Sequence, residues 1–370
     1  MTTSKTTAPS SSAFEEHFKN YIKGEKGTPD DQKGEVEEVL FIAKDDAIGV
    51  DDSITDTISS VYGVTIPSDM PDLPVKVYSR DEWDASVSEF IPDIDKAYVW
   101  QGSVRDLIMY HAGIGMSDNI YMYGDKAVGK SSFVEQVCAR TNQPFIRMNG
   151  RGDLESSAVF GQYTVRDGAT EWNDGMFTIA AKTGAVFLLD EATSVPSEVT
   201  LGLQYPLEKG GKLFLTDKAG DMVDKIVNPD PRHSFVVCDN TNGTGDMDGH
   251  YSGTTVWNSA ILDRFATIIK RLHMSSEDEV NVLRSIVPEL TPLLAGRMVQ
   301  FAGLCRNSVS NGELGFTVSL RTLESWGKKA VLFNDPKSSL KAAYYERLGT
   351  DDERQAVNQF YNPTFGEALV

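Results

Sequence analysis

The stretch Asn119 to Ser132, NIYMYGDKAVGKSS, fits the pattern G-x-x-x-x-G-K-[ST] with Gly124, Gly129, Lys130 and Ser131. A loop of this kind binds phosphate. Its glycines let backbone amides curl round an anion with no Cβ in the way, and the helix N-terminus behind it adds partial positive charge. In that arrangement Gly124, Asp125, Lys126, Ala127, Val128, Gly129, Lys130, Ser131 and Ser132 wrap the phosphates of a nucleotide. Lys130 reaches the β- and γ-phosphates, and the Ser131 hydroxyl is a Mg²⁺ ligand. The pattern alone is loose, and an ordinary Gly-rich turn with a solvated lysine also matches it. Its flanks favour phosphate: Ile120 to Tyr123 is an apolar run of strand type, and Phe133, Val134 and Val137 recur at helical spacing after the loop.

The second group is Asp190-Glu191, which ends the continuous apolar run Ala185 to Leu189. Such a run predicts a strand covered on both faces, and ligands bind at the carboxyl edge of an open parallel sheet. Asp190 would hold Mg²⁺, mostly through water, and Glu191 would polarise an attacking water as general base. In isolation the pair also suits helix capping; its combination with Lys130 is what points to hydrolysis. A further buried run, Ser234 to Cys238, ends in Asp239-Asn240. Asn240 there either holds the lytic water against the γ-phosphate or serves an Asx turn. Arg264, in Asp263-Arg264-Phe265, stands between a short helix and an apolar strand. It is either a surface ion-pair residue or, in a ring of identical subunits, a group that reaches the neighbour's nucleotide. Arg321 begins a late helix from which it could close over the phosphates.

The elements that must position these groups divide the chain. Residues 1–45 read as a mobile polar tail, with FEEHFKNYIKG able to form a short amphipathic helix through Phe14, Phe18 and Tyr21. Residues 46–100, broken by Pro67, Pro71 and Pro74, form a small N-terminal module. Residues 101–273 are an α/β nucleotide-binding subdomain, in which a parallel sheet is flanked by helices. Within it, Arg166-Asp167-Gly168 and Asn173-Asp174-Gly175 are turn signals of a hairpin. QYPLEKGGKLFLTD suggests a second hairpin. Residues 274–370 read as helices punctuated by Gly and Pro, a helical lid subdomain.

Composition narrows the partners. With 35 basic and 54 acidic residues the formal charge is −19, which opposes non-specific binding to nucleic acid or an anionic membrane. No apolar stretch approaches the ~18 residues that span a bilayer. Cys138, Cys238 and Cys305 are far apart in sequence, and the five histidines have no metal-ligand spacing. These features imply buried thiols, no protein metal cage and a cytoplasmic location.

The order of phosphate loop, Asp-Glu strand, Asn-tipped strand, D-R-F box and late S-x-R resembles the AAA+ ATPases, and the two hairpins resemble the MoxR-like group within them. The resemblance is closest to the ATPase subunit of aerobic cobaltochelatase, the CobS family. It is carried by IPDIDKAY (91 to 98), residues 124 to 149, VRDGATEWNDGMF, VFLLDEA, PLEKGGKLFLTD, residues 239 to 265 and SLRTLESW (319 to 326). It implies an AAA+ fold, ATP and Mg²⁺ as cofactors and a hexameric ring. It also implies sensor-1 for Asn240, a trans-acting arginine finger for Arg264 and sensor-2 for Arg321. Partners by resemblance are a von Willebrand A-domain protein and a chelatase large subunit that carries the cobalt chemistry. Three positions depart from the family pattern. Asp239 stands where a small residue is usual, Thr193 where Asp or Asn is usual, and Ser319-Leu320-Arg321 replaces S-P-R. Similar proteins occur in phage genomes, where cobalt insertion need not be the task. A MoxR-like chaperone with another client, or a nucleotide-gated structural ring, are the alternative readings.

Overall fold

The computed structural model describes residues 54–243, 245 and 256–370. The polar tail expected over 1–45, with its candidate helix, lies outside the described residues. Thr55–Val370 form one compact unit. It opens on a two-stranded sheet of β1 (Ile54–Thr57) and β2 (Pro74–Val77), short strands set among the prolines. Helix α1 (Val104–Gly115) then leads to β3 (Ile120–Tyr123), the phosphate loop and α2 (Lys130–Thr141). Next come β4 (Phe145–Asn149), the hairpin β5 (Gly161–Arg166) and β6 (Ala169–Asp174), and α3 (Met176–Thr183). They are followed by β7 (Val186–Asp190), α4 (Ser197–Leu203), the short strands β8 (Leu213–Phe214) and β9 (Ile226–Val227), β10 (Ser234–Asp239) and β11 (Thr267–Lys270).

Five of these strands form one sheet in the order β11-β3-β10-β7-β4, with every neighbouring pair parallel. Hydrophobic pattern explains the order. β7 and β10 are buried at every residue and lie inside the sheet, whereas β11 alternates buried and exposed residues at one edge. Successive side chains of the inner strands enter opposite cores. Tyr121, Phe187, Leu189, Phe235 and Val237 meet α3 and α4 through Phe177, Val199 and Leu203. Ile120, Met122, Val186, Leu188, Val236 and Cys238 meet α1 and α2 through Leu107, Tyr110, Phe133 and Val137. Trp100 fixes the N-terminal residues to this second layer, with ring centroids 4.6 Å from Tyr62 and Tyr98 and 5.7 Å from Phe133.

β5 and β6 pair antiparallel through a turn in which Asp167 (φ 52°) and Gly168 (φ 81°) are both left-handed. The second turn signal, Asn173-Asp174-Gly175, does not turn a hairpin. Gly175 instead opens α3, where a Cβ would lie 2.4 Å from the Val159 carbonyl. β8 and β9 form the second hairpin, and the Gly210-Gly211 turn lies ahead of it.

The last third of the chain is helical: α5 (Ser276–Ile286), α6 (Pro292–Ser310), α7 (Leu320–Phe333), α8 (Pro336–Ala343) and α9 (Asp351–Phe365). Ser275, Thr291, Ser319, Asp335 and Thr350 each cap a helix with a side-chain oxygen, a contribution of about 1 kcal/mol apiece. These helices share a core of their own around Phe301, Trp326, Tyr344 and Tyr361. Among the described residues no helix is long and apolar enough to cross a membrane.

Candidate active site

Parallel register brings three strand ends to one edge. Asp239 pairs with Tyr123 and Cys238 with Asp190, so the phosphate loop, Glu191 and Asn240 all leave the sheet side by side. The loop's glycines are sterically required there. A Cβ on Gly124 (φ 153°) would lie 2.1 Å from the Arg271 carbonyl oxygen, and Gly129 (φ 78°) caps α2 in the left-handed region. Ala127 also has a positive φ, 73°, a conformation that costs on the order of 1 kcal/mol for a residue with a Cβ.

Lys130 is buried, and its Nζ donates to the carbonyls of Gly124 (2.8 Å) and Asp125 (2.9 Å) and to Asn240 Oδ1 (3.0 Å). Burial lowers its pKa from the ordinary lysine value. Its partners are all uncharged oxygens, which a polyanion can displace. The Ser131 hydroxyl donates to Asp190 Oδ2 at 2.6 Å, and Arg147 Nη2 reaches the same oxygen at 2.5 Å. Magnesium needs hard oxygen ligands and keeps several waters, with one or two protein oxygens and the substrate's phosphates completing its shell. A hydroxyl and a carboxylate converging beside the phosphate loop fit that demand. No cluster of three or more His, Cys, Asp or Glu suited to a metal exists among the described residues.

Glu191 follows Asp190 with left-handed backbone, φ 54°, and its side chain is exposed. Its N–H donates to the Cys238 carbonyl at 2.9 Å. Gly150 leaves room for this bend, since a Cβ there would lie 2.3 Å from the Glu191 carbonyl oxygen. Asn240 faces Lys130 through its amide oxygen, and the Asx turn at this strand end is made by its neighbour. Asp239 Oδ1 accepts from the N–H groups of Asn240 (2.6 Å) and Thr241 (3.1 Å).

Arg264 is placed elsewhere. Thr267 pairs with Ile120, the first residue of β3, and Asn119 Nδ2 donates to the Arg264 carbonyl at 2.9 Å. Arg264 therefore sits at the amino edge of the sheet, across the strands from its own phosphate loop. Its guanidinium donates to the carbonyls of Gln204 (2.7 Å) and Ala260 and to Glu208 Oε1 (2.5 Å). Arg321 is exposed in the first turn of α7, beside Glu324, Ser325 and Lys328, with no hydrogen bond to the phosphate loop.

Three residues near the loop gave no sequence signal. Arg147 lies on β4, whose pairing with β7 brings it to Asp190. Arg271, 3% exposed, donates to the Val128 carbonyl (3.0 Å), Asp106 (2.8 Å) and Ser103 Oγ (2.9 Å), with its guanidinium 4.6 Å from the Phe133 ring centroid. It thus ties the phosphate loop to α1. His273 Nε2 lies 3.5 Å from Asp125, and burial together with the nearby Arg306 holds its pKa below the ordinary value. Replacing Arg271 leaves a half-buried carboxylate, that of Asp106, and a loop carbonyl without its guanidinium. Arg271→Met is expected to cost about 3 kcal/mol in urea unfolding, and an unshifted midpoint would deny Arg271 this role.

A family model described as "AAA domain (dynein-related subfamily)" matches residues 119–265. The chain is 27% identical over 323 residues to the aerobic cobaltochelatase subunit CobS of Sinorhizobium sp, covering 85% of this chain and 92% of that one. It is 28% identical over 127 residues to the protein NorQ of Paracoccus denitrificans, covering 34% of this chain and 46% of NorQ. It is 21% identical over 243 residues to the mouse (Mus musculus) von Willebrand factor A domain-containing protein 8, covering 63% of this chain and 12% of that protein. A parallel sheet in the order β11-β3-β10-β7-β4, a phosphate loop after β3, an Asp-Glu pair after β7 and these relatives point the same way: residues 119–265 match an AAA domain, and the chain is similar to CobS and to MoxR-like AAA+ ATPases.

Proposed function

We propose that the protein is a ring-forming, Mg²⁺-dependent ATPase that couples ATP hydrolysis to the remodelling of a partner complex, as a cobaltochelatase ATPase subunit of CobS type. The observation that carries this is the meeting at one sheet edge of Lys130, Ser131, Asp190, Glu191 and Asn240.

In this reading Gly124 to Ser132 enclose the triphosphate, and Lys130 exchanges its carbonyl partners for the β- and γ-phosphate oxygens. Ser131 and Asp190 would hold Mg²⁺, which neutralises charge on the phosphates when bound. Glu191 takes the proton of the attacking water, and the Asn240 amide fixes that water against the γ-phosphate. Arg264 acts on the nucleotide of the adjacent subunit, consistent with its place at the sheet edge opposite its own phosphate loop. Arg321 serves as sensor-2, and its exposure on α7 leaves it free to reach a nucleotide when the helices close. The von Willebrand A-type partner is supported by the likeness to a protein that carries that domain in its name, and the chelatase client by the likeness to CobS.

Affinity capture with a Glu191→Gln variant held in the ATP state tests the client assignment. The expected result is recovery of an A-domain protein with a large chelatase-type subunit. Recovery of an A-domain protein with an unrelated client would replace the chelatase assignment with a MoxR-like chaperone.

A further inference from the structure

The carboxylate of Asp239 is 1% exposed and accepts four hydrogen bonds. Oδ2 takes the Thr193 N–H at 2.6 Å, and Oδ1 takes the Thr193 hydroxyl at 3.1 Å. Oδ1 also takes the N–H groups of Asn240 at 2.6 Å and Thr241 at 3.1 Å. The carbonyl of Asp239 accepts from the N–H of Gly124, the first glycine of the phosphate loop, at 3.3 Å. One residue therefore touches the loop, the segment that follows Glu191 and the segment that carries Asn240.

Electrostatics argue against this residue on any ground but geometry. A buried carboxylate is costly to desolvate, and one beside a triphosphate site repels the ligand. Its four donors compensate the burial, yet a neutral residue would avoid both penalties. The two ends it joins are also the ones that need fixing. Glu191 has left-handed backbone and an exposed side chain, so the aim of its carboxylate depends on what holds residues 192–194. Trp257 Nε1 grips the Ala192 carbonyl at 3.1 Å from one side, and Asp239 grips Thr193 from the other. Asp239 and Thr193 are each other's partners across neighbouring strand ends.

We propose that Asp239 is a positioning residue: through Thr193 it locks the arm of the water-activating Glu191 to Asn240, so that base and water-holding amide keep one spacing. This rests on the hydrolytic reading above. Because a misplacement near 1 Å costs on the order of 10²-fold in rate, Asp239→Asn is expected to lower kcat by that order. The carboxamide is nearly isosteric but presents a donor or a weaker acceptor to the Thr193 N–H. KM for ATP and the Kd of a fluorescent ATP analogue should stay within about two-fold, since the Lys130 grip is untouched. Thr193→Val, which removes only the hydroxyl donor, should lose less. Hydrogen exchange provides a readout independent of turnover: the amides of Thr193, Asn240 and Thr241 should lose protection together in Asp239→Asn while those of α2 do not.

A kcat within about two-fold of wild type in Asp239→Asn, or kcat and nucleotide affinity falling in parallel with the folded fraction, overturns the inference. Wild-type and Glu191→Gln proteins run alongside separate the two failures. Equal turnover by wild type and Glu191→Gln overturns the hydrolytic reading and this inference with it. A wild type that depends on Glu191 but is indifferent to Asp239→Asn overturns this inference alone.

Discussion

Glu191→Gln is expected to lower ATP turnover by about 10³-fold, the usual contribution of a positioned general base. The substitution keeps side-chain volume and leaves the backbone bond from residue 191 to the Cys238 carbonyl in place, so the left-handed bend survives. The carboxamide cannot accept the water's proton at neutral pH. Lys130 and Ser131 are unchanged, and nucleotide affinity should be retained. Steady-state phosphate release together with equilibrium binding of a fluorescent ATP analogue measures both quantities. Hydrolysis at the wild-type rate would remove Glu191 as the base.

Arg264→Ala is expected to cost 10³-fold or more in assembled rings, the range set by arginines that neutralise charge on a transferring phosphoryl group. The loss should be confined to assembled protein, because Arg264 lies at the amino edge of its own sheet while its phosphate loop lies at the carboxyl edge. In the single subunit the guanidinium is held by Gln204 and Glu208. A trans role requires it to leave at least the Glu208 carboxylate. Glu208→Gln weakens that ion pair and keeps the arginine, so it should not lower turnover. Arg264→Lys should rescue poorly, since an ammonium lacks the planar fork. Equal residual rates for Arg264→Ala in rings and in dilute subunits would deny the trans contribution.

The sequence made legible those site residues whose positions follow from strand ends. Continuous apolar runs marked β7 and β10 as inner strands. Residues just past such runs lie at the carboxyl edge of a parallel sheet, and Glu191 and Asn240 stand there beside Lys130. The expected parallel sheet flanked by helices and the helical final third are both present. What could not be read are the contacts that fix aim. Arg147 meets Asp190 across two strands, Arg271 meets Val128 from the far end of β11, and Asp239 meets Thr193 across neighbouring strand tips. Each joins residues remote in sequence, and a polar residue's partner follows from register and packing, which local pattern does not specify. Asn173-Asp174-Gly175 carries a turn signal without making a hairpin turn, for a related reason. Its glycine serves close packing against Val159 rather than a turn, and both demands select the same residue.

Mixing two inactive variants tests the central claim, a hydrolytic site shared between subunits, most directly. In random rings of Glu191→Gln and Arg264→Ala subunits, roughly a quarter of the interfaces pair an intact Glu191 with an intact Arg264 from the neighbour. Turnover should therefore reappear on mixing, although neither variant hydrolyses ATP alone. Mixtures that assemble and stay as inactive as their parents would contradict the account.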